Sequence, residues 1–314
     1  MNIFYDGKEA KLPDFLIVGA AKSGTTSLHY YLRQHPQIFM PKLKELWFFC
    51  FLDATVSYLK NLRWKDRVVS GFDDYIWHFR DANENLVIGE ACPSYLYMYS
   101  TTIRNIKKVY LEKYKDLKII IILRNPAERA WSHFMMQRRD NLEPLNDFRE
   151  VLKPASLKHR LTEDMKLDFD YIGWGMYFEQ VKAFIEEFRD VKVVLFEELS
   201  HDSVKTVKEI YRFLNVDIEF IPDMKIQYNI SGNVRFRLLE DLFVKKYVLR
   251  EVVKSLLPYD LRKKIRYKVQ EKNVQRQQMP ADIKVKLIEH YYYDDILRLQ
   301  KLINRDLSSW ITKS

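Results

Sequence analysis

The sequence predicts an α/β fold with a central parallel β-sheet flanked by helices, and three observations carry that prediction. Four short runs are apolar throughout instead of alternating, which suits strands buried on both faces of a parallel sheet. Segments with helical spacing separate them, so strand and helix alternate as right-handed crossovers require. With 47% of its 314 residues hydrophobic, the chain can bury a large core.

The first strand is "FLIVG" at 15–19, followed by a helix that carries Leu28, Tyr31 and Leu32 on one side. "LVIG" at 86–89 is the second strand and "KIIIIL" at 118–123 the third, which runs into the helical "AERAWSHFMMQRR". "YFEQVKAFIEEF" reads as a helix leading to the fourth strand, "VKVVLF" at 191–196. After "SVKTVKEIYRFLN" the chain turns basic and helical from about 235, and it closes on another helical stretch, "ADIKVKLIEHYYYDDILRLQKLI". No repeat or Gly/Ser-rich linker divides it, so the expected organisation is one domain over 1–314, with 235–314 as a helical, basic extension.

Lys and Arg number 52 against 43 Asp and Glu, a net charge of +9 that attracts anions without specifying nucleic acid. Cys50 and Cys92 both sit in apolar surroundings, which suits buried thiols in a reducing compartment. The N-terminus lacks a basic segment followed by an apolar one, and "LWFFCFL" is too short to span a bilayer. A cytoplasmic location is therefore expected.

The turn in "FLIVGAAKSGTTSL" carries the chemistry. A strand ending in Gly19, with a helix restarting near Gly24, points the first free amides of that helix at one spot, where a phosphate or sulfate binds. Gly19, Ala20, Ala21, Ser23 and Gly24 are small enough to let the backbone wrap an anion, while Lys22 adds a mobile cation and Thr25 and Thr26 add hydroxyl donors. A nucleotide triphosphatase loop places its lysine after the second glycine and needs an acidic strand end for magnesium. Here Thr25 follows Gly24, and the third strand runs into Arg124, a second cation suited to a second anionic group without a metal.

"FLIVGAAKSGTTSL", "LRNPAERAWSHF" and the closing "RDLSSW" together resemble the sulfotransferases that use 3'-phosphoadenosine 5'-phosphosulfate (PAPS), particularly the bacterial and heparan-sulfate-type branch. The resemblance runs from Phe15 to Trp310 and implies a P-loop-like sulfotransferase fold. It implies that Lys22, Ser23, Gly24, Thr25, Thr26 and Ser27 bind the 5'-phosphosulfate, and that Arg124 and Ser132 bind the 3'-phosphate. Ser132 lies eight residues after Arg124, about two helical turns, so both can reach one phosphate if the chain folds back. The donor would leave as 3'-phosphoadenosine 5'-phosphate (PAP), with no metal.

Sulfuryl transfer to a hydroxyl needs a group to take the acceptor proton and a cation for the charge that develops on the leaving phosphate. Lys22 suits the second role. "KLKELWFF" at 42–49 resembles the heparan-sulfate-type segment that carries a glutamate base, which implies Glu45. Desolvation beside Trp47, Phe48 and Phe49 would raise its pKa. Some relatives have histidine at the place of Trp47, an acidic residue at Cys50 and a lysine at Ala91, so helpers of the base are missing and the acceptor differs from a simple heparan-like one. Histidine is the base in other branches; His35 and His133 read as structural, and His78 is left without a role.

"GEACPSYLY" at 89–97 corresponds to an acceptor pocket in the family, which implies contacts from Glu90 and Tyr95. "IGWGMY" resembles the segment whose aromatic residue stacks on adenine, here Trp174, with core packing as the rival reading. "YNISGNVRFR" resembles a loop closing over the 3'-phosphate through Gly232 and Arg235 or Arg237. The basic stretch from Val244 to Arg276 suits an acidic carrier protein, a polyanionic sugar or a membrane face, or simply a helix with one solvated side. The expected partner is a hydroxyl-bearing acceptor, anionic or carrier-bound among the options, and no nucleic acid. A P-loop kinase or nucleotide triphosphatase and a non-catalytic polyanion-binding protein are the alternatives.

Overall fold

The computed structural model of the chain describes residues 1–55, 59, 65–162, 165–224 and 277–312, with the backbone of 233–234 and 274–275. A hairpin of β1 (Asn2–Tyr5) and β2 (Lys8–Lys11) precedes the main sheet. That sheet comprises β3 (Phe15–Gly19), β4 (Ile38–Phe39), β5 (Val87–Ala91), β6 (Lys118–Leu123) and β7 (Val191–Leu195) in the order β4-β5-β3-β6-β7, with every neighbouring pair parallel.

The uniformly apolar strands are buried on both faces, as their composition requires. Leu16, Val18, Ile119 and Ile121 face one core with Phe48, Phe49, Tyr95 and Trp310, while Phe15, Ile17, Ile120 and Ile122 face the other with Leu28, Leu32 and Ile210. Helix α1 (Thr25–Leu32) follows β3, and α2 (Pro126–Arg139) follows β6. From β3 the chain goes towards β4 and β5, and from β6 towards β7, so connections leave two adjacent strands in opposite directions. The carboxyl ends of β3 and β6 thus form a switch point, where α/β sheets bind ligands.

Beyond the sheet, α3 (Tyr177–Glu187) packs against α5 (Tyr293–Ile303), and α4 (Ala281–Leu287) precedes α5 in the chain's closing helical stretch. Two elements went unanticipated. Strand β4 has only two residues, too few for a periodicity, and the hairpin at the start is turned by Asp6-Gly7, a two-residue signal that the longer apolar runs overshadowed. Gly232, Arg235 and Arg237, and the basic stretch 244–276 apart from the backbone of 274–275, lie outside the described residues.

Candidate active site

The turn after β3 has the backbone its sequence demands. Lys22 and Gly24 both take left-handed conformations, with φ of 69° and 93°, and α1 starts at Thr25. A side chain at Gly24 would be strained by that φ and would also approach the Phe196 ring to 3.1 Å. Gly24 caps α1 without any side-chain acceptor, so the helix keeps its N-terminal amides for another anion. Ser23 is fully buried and its hydroxyl has no hydrogen-bond partner.

Beside it stands the turn after β6. Asn125 caps α2 by accepting from the Ala127 and Glu128 amides at 3.0 and 3.3 Å, and Pro126 takes the first helical position. The Asn125 side chain also donates to the Trp310 carbonyl at 3.1 Å, so the C-terminal segment is pinned to this turn. Arg124 donates to the Lys22 carbonyl at 3.4 Å and to Glu128 at 3.1 Å, and its guanidinium lies 4.7 Å from the Phe196 ring centre. Ser132 is buried further along the same helix.

Lys22 is where these pieces meet. Its ammonium donates to the Met136 sulfur at 3.3 Å, a weak acceptor. Loss of hydration, then the charge of Arg139 and, more weakly, of Arg124, pull its pKa down to about 7 against the opposing pull of Asp140 and Glu45. A lysine held this far below its ordinary value marks a cationic locus short of negative charge. Arg139 and Asp140, at the far end of α2, were not singled out from sequence. They read as one more charged pair on a helix, and only the fold brings them to the turn.

Glu45 lies in the loop beside the end of β5, and its charge weakly opposes the fall in the Lys22 pKa. The Glu45 amide donates to the Ala91 carbonyl at 3.0 Å, which hangs the loop on the end of β5, and both Glu45 and Trp47 have positive φ, 66° and 63°. The expectation of a desolvated carboxylate is corrected. Phe48 and Phe49 turn into the core, while the Glu45 side chain stays 41% exposed and pairs with the Lys44 ammonium. The aromatic neighbours in sequence therefore do not bury it.

Glu90 and Tyr95, expected to contact an acceptor, are corrected too. Both are fully buried, and Glu90 accepts from the hydroxyls of Tyr95 and Tyr75 at 2.8 and 2.7 Å. Strand β5 alternates its faces, and Glu90 falls on the face that points into the core. Desolvation raises its pKa to about 7, opposed by Tyr75, Tyr95, the Leu46 amide and Lys44. The unfolded carboxyl titrates lower, so the folded chain binds more protons in between, and this group's contribution to stability falls as pH rises through that window. The stability of the wild type relative to Glu90→Gln is expected to drop by about 3 kcal/mol between pH 4.5 and 7. Denaturant melts across that range check it; a flat difference would show a carboxyl that does not titrate there.

Trp174 is 4% exposed, with one face stacked on Tyr97 at 4.4 Å, so its rival role in the core is the one the structure places it in. His35 is buried against the Asp217 carbonyl, as a structural histidine should be. His133 is buried beside Arg129 and Gln137, and burial, Arg129 and Lys22 hold its pKa well below the usual range. Partly buried His78 also has a lowered pKa, through burial and Arg80.

The family described as "Sulfotransferase domain" matches residues 12–252. A solved structure described as a sulfotransferase from Alicyclobacillus acidocaldarius is 30% identical, with a TM-score of 0.70 over 96% of this chain and 100% of that one. The membrane-associated sulfotransferase kil1 of Dictyostelium discoideum is 37% identical over 148 residues, 45% of this chain and 27% of that protein. The bifunctional heparan sulfate N-deacetylase/N-sulfotransferase 1 of Caenorhabditis briggsae is 24% identical over 241 residues, 73% of this chain and 25% of that protein. The chain thus spans about a quarter of the length of these two relatives.

Proposed function

Since the chain belongs to the sulfotransferase family, we propose that it transfers a sulfuryl group from PAPS to an acceptor hydroxyl, with Lys22 as the cation at the leaving phosphate and Glu45 as the base. The observation that carries this reading is the Lys22 locus, a partly buried ammonium on the Met136 sulfur, with Arg124 donating to the Lys22 carbonyl, at the start of α1, where Gly24 offers the helix no side-chain cap. Such a locus fits a phosphosulfate. The amides and hydroxyls of residues 23–27 would hold its 5' end, and Arg124 with Ser132 its 3'-phosphate. PAPS supplies the sulfuryl group and a good leaving phosphate; the protein supplies position and charge.

Lys22 holds its proton towards the bridging oxygen of the phosphosulfate, while a Glu45 carboxylate oxygen takes the proton of the acceptor hydroxyl. His133 is a poorer base, since burial and the charges of Arg129 and Lys22 hold its pKa well below the usual range and its side chain is buried in the helix packing. Where a magnesium-dependent loop needs an acidic strand end, β6 runs into Arg124, which favours metal-independent binding over a kinase or nucleotide triphosphatase.

The acceptor belongs to the hydroxyl-bearing class: saccharide, lipid, carrier-bound acyl chain or small alcohol. A cytoplasmic location is part of this reading, supported by Cys50 and Cys92 as buried free thiols; no helix among the described residues is long and apolar enough to cross a membrane. PAP at a hundred times its Kd is expected to stabilise the chain by about 3 kcal/mol without magnesium. Calorimetric melts test this. ATP that stabilises only with magnesium would sink the reading in favour of a triphosphatase, and binding that survives Lys22→Ala but collapses with salt would favour a polyanion binder.

A further inference from the structure

Among the charged groups around the two turns, Glu128 has no part in the proposed chemistry, yet it occupies a telling place. One of its oxygens, Oε2, accepts from Arg124 Nη2 at 3.1 Å and Nε at 3.4 Å, while Oε1 lies 3.7 Å from the Lys284 ammonium. Arg124 and Lys284 are about one-fifth exposed, at 22% and 21%, and Glu128 is 37% exposed. Lys284 comes from α4, some 160 residues along the chain from Arg124, so the C-terminal helices bring a second cation to this turn.

We propose that Glu128 is the resident counter-ion of the 3'-phosphate site and that Lys284 is the second cation of that site. The inference rests on the donor reading given above. A carboxylate held between two cations mimics the anion they are to bind, and a dianionic phosphate with three oxygens competes with it for both. Glu128 thereby weakens the hold on the bisphosphate product and speeds its release. A nucleotide with a free 3'-hydroxyl does not disturb the bridge, so Glu128 bears only on ligands that carry the 3'-phosphate.

Glu128 also has a folding reason to be where it is, since the first turn of α2 favours a carboxylate. The test must separate the two roles. Binding of PAP and of adenosine 5'-phosphosulfate, which lacks the 3'-phosphate, is measured by calorimetry on the full chain and on three variants. Glu128→Gln is expected to tighten PAP by about three- to tenfold, and to leave adenosine 5'-phosphosulfate within about twofold. Glu128→Asp keeps the helix-start charge but draws it back by a methylene, and is expected to tighten PAP in the same direction. Lys284→Ala is expected to weaken PAP by about three- to tenfold with no effect on the 3'-hydroxyl ligand.

Unchanged or weaker PAP binding in both Glu128 variants overturns the counter-ion role, as does an equal change for both nucleotides. Unchanged PAP binding in Lys284→Ala overturns its place in the site. These results presuppose that PAP binds the wild type; if it does not, the donor reading itself falls and this inference with it.

Discussion

Lys22→Met is expected to cut sulfuryl transfer by on the order of 10³-fold and to weaken PAP, because it removes the ammonium proposed above to meet the charge that develops on the leaving phosphate. The variant should also erase a pH dependence that the wild type shows. Lys22 has a pKa of about 7 in the folded chain, held down by lost hydration and by Arg139 and Arg124. A bound anion offsets the arginines and returns that pKa towards its ordinary value. At pH 8 the binding of PAP therefore takes up close to one proton, and the wild-type affinity falls as pH climbs past 7, by up to about tenfold per pH unit.

Calorimetry at pH 8 in two buffers of different ionisation enthalpy reads the proton directly. Lys22→Met should bind PAP with no such uptake from this site, and its affinity should not share the wild-type decline. Lys22 also bears on stability: a lysine depressed from 10.5 to about 7 costs the fold in full below about 7, since the unfolded chain binds the proton more tightly, and the cost is recovered as pH rises from about 7 to 10.5. A Lys22→Met enzyme with wild-type turnover would remove Lys22 from the chemistry.

The sheet was legible because β3 is apolar in every position and β6 in every position after Lys118, which is how a strand buried on both faces must read. The turn after β3 was legible because its residues are consecutive, and the helix restarts at Thr25 behind Lys22 and Gly24 in left-handed conformations. The acceptor side was not. Glu90 follows Val87, Ile88 and Gly89 in a strand that ends at the carboxyl edge of the sheet, and nothing in "GEACPSYLY" says which face it takes; a one-residue difference in register exchanges pocket for core. Arg139, Asp140 and Lys284 were missed for another reason. Their neighbours in sequence are ordinary helix residues, and they come to the two turns only through interactions made across more than a hundred residues of chain.

Glu45→Gln is expected to lower kcat by about 10²–10³-fold while PAP binding stays close to that of the wild type. Two effects on the donor oppose each other: loss of a negative charge near Lys22 favours the anion, yet it also pulls the pKa of Lys22 further down, so fewer ammonium groups are ready to bind. Turnover has no such offset, because an amide cannot take the acceptor proton. The backbone separates this role from folding. Residue 45 holds a φ of 66°, a conformation that costs any residue but glycine or asparagine, and glutamine bears the cost equally. Glu45→Gly should relieve it and stabilise the chain by up to about 1 kcal/mol while losing transfer as fully as Glu45→Gln does. Activity and melting temperature then move in opposite directions, as expected of strain kept for a catalytic side chain. A Glu45→Gly enzyme that is less stable and still active would show that the loop is built for packing and that the base stands elsewhere.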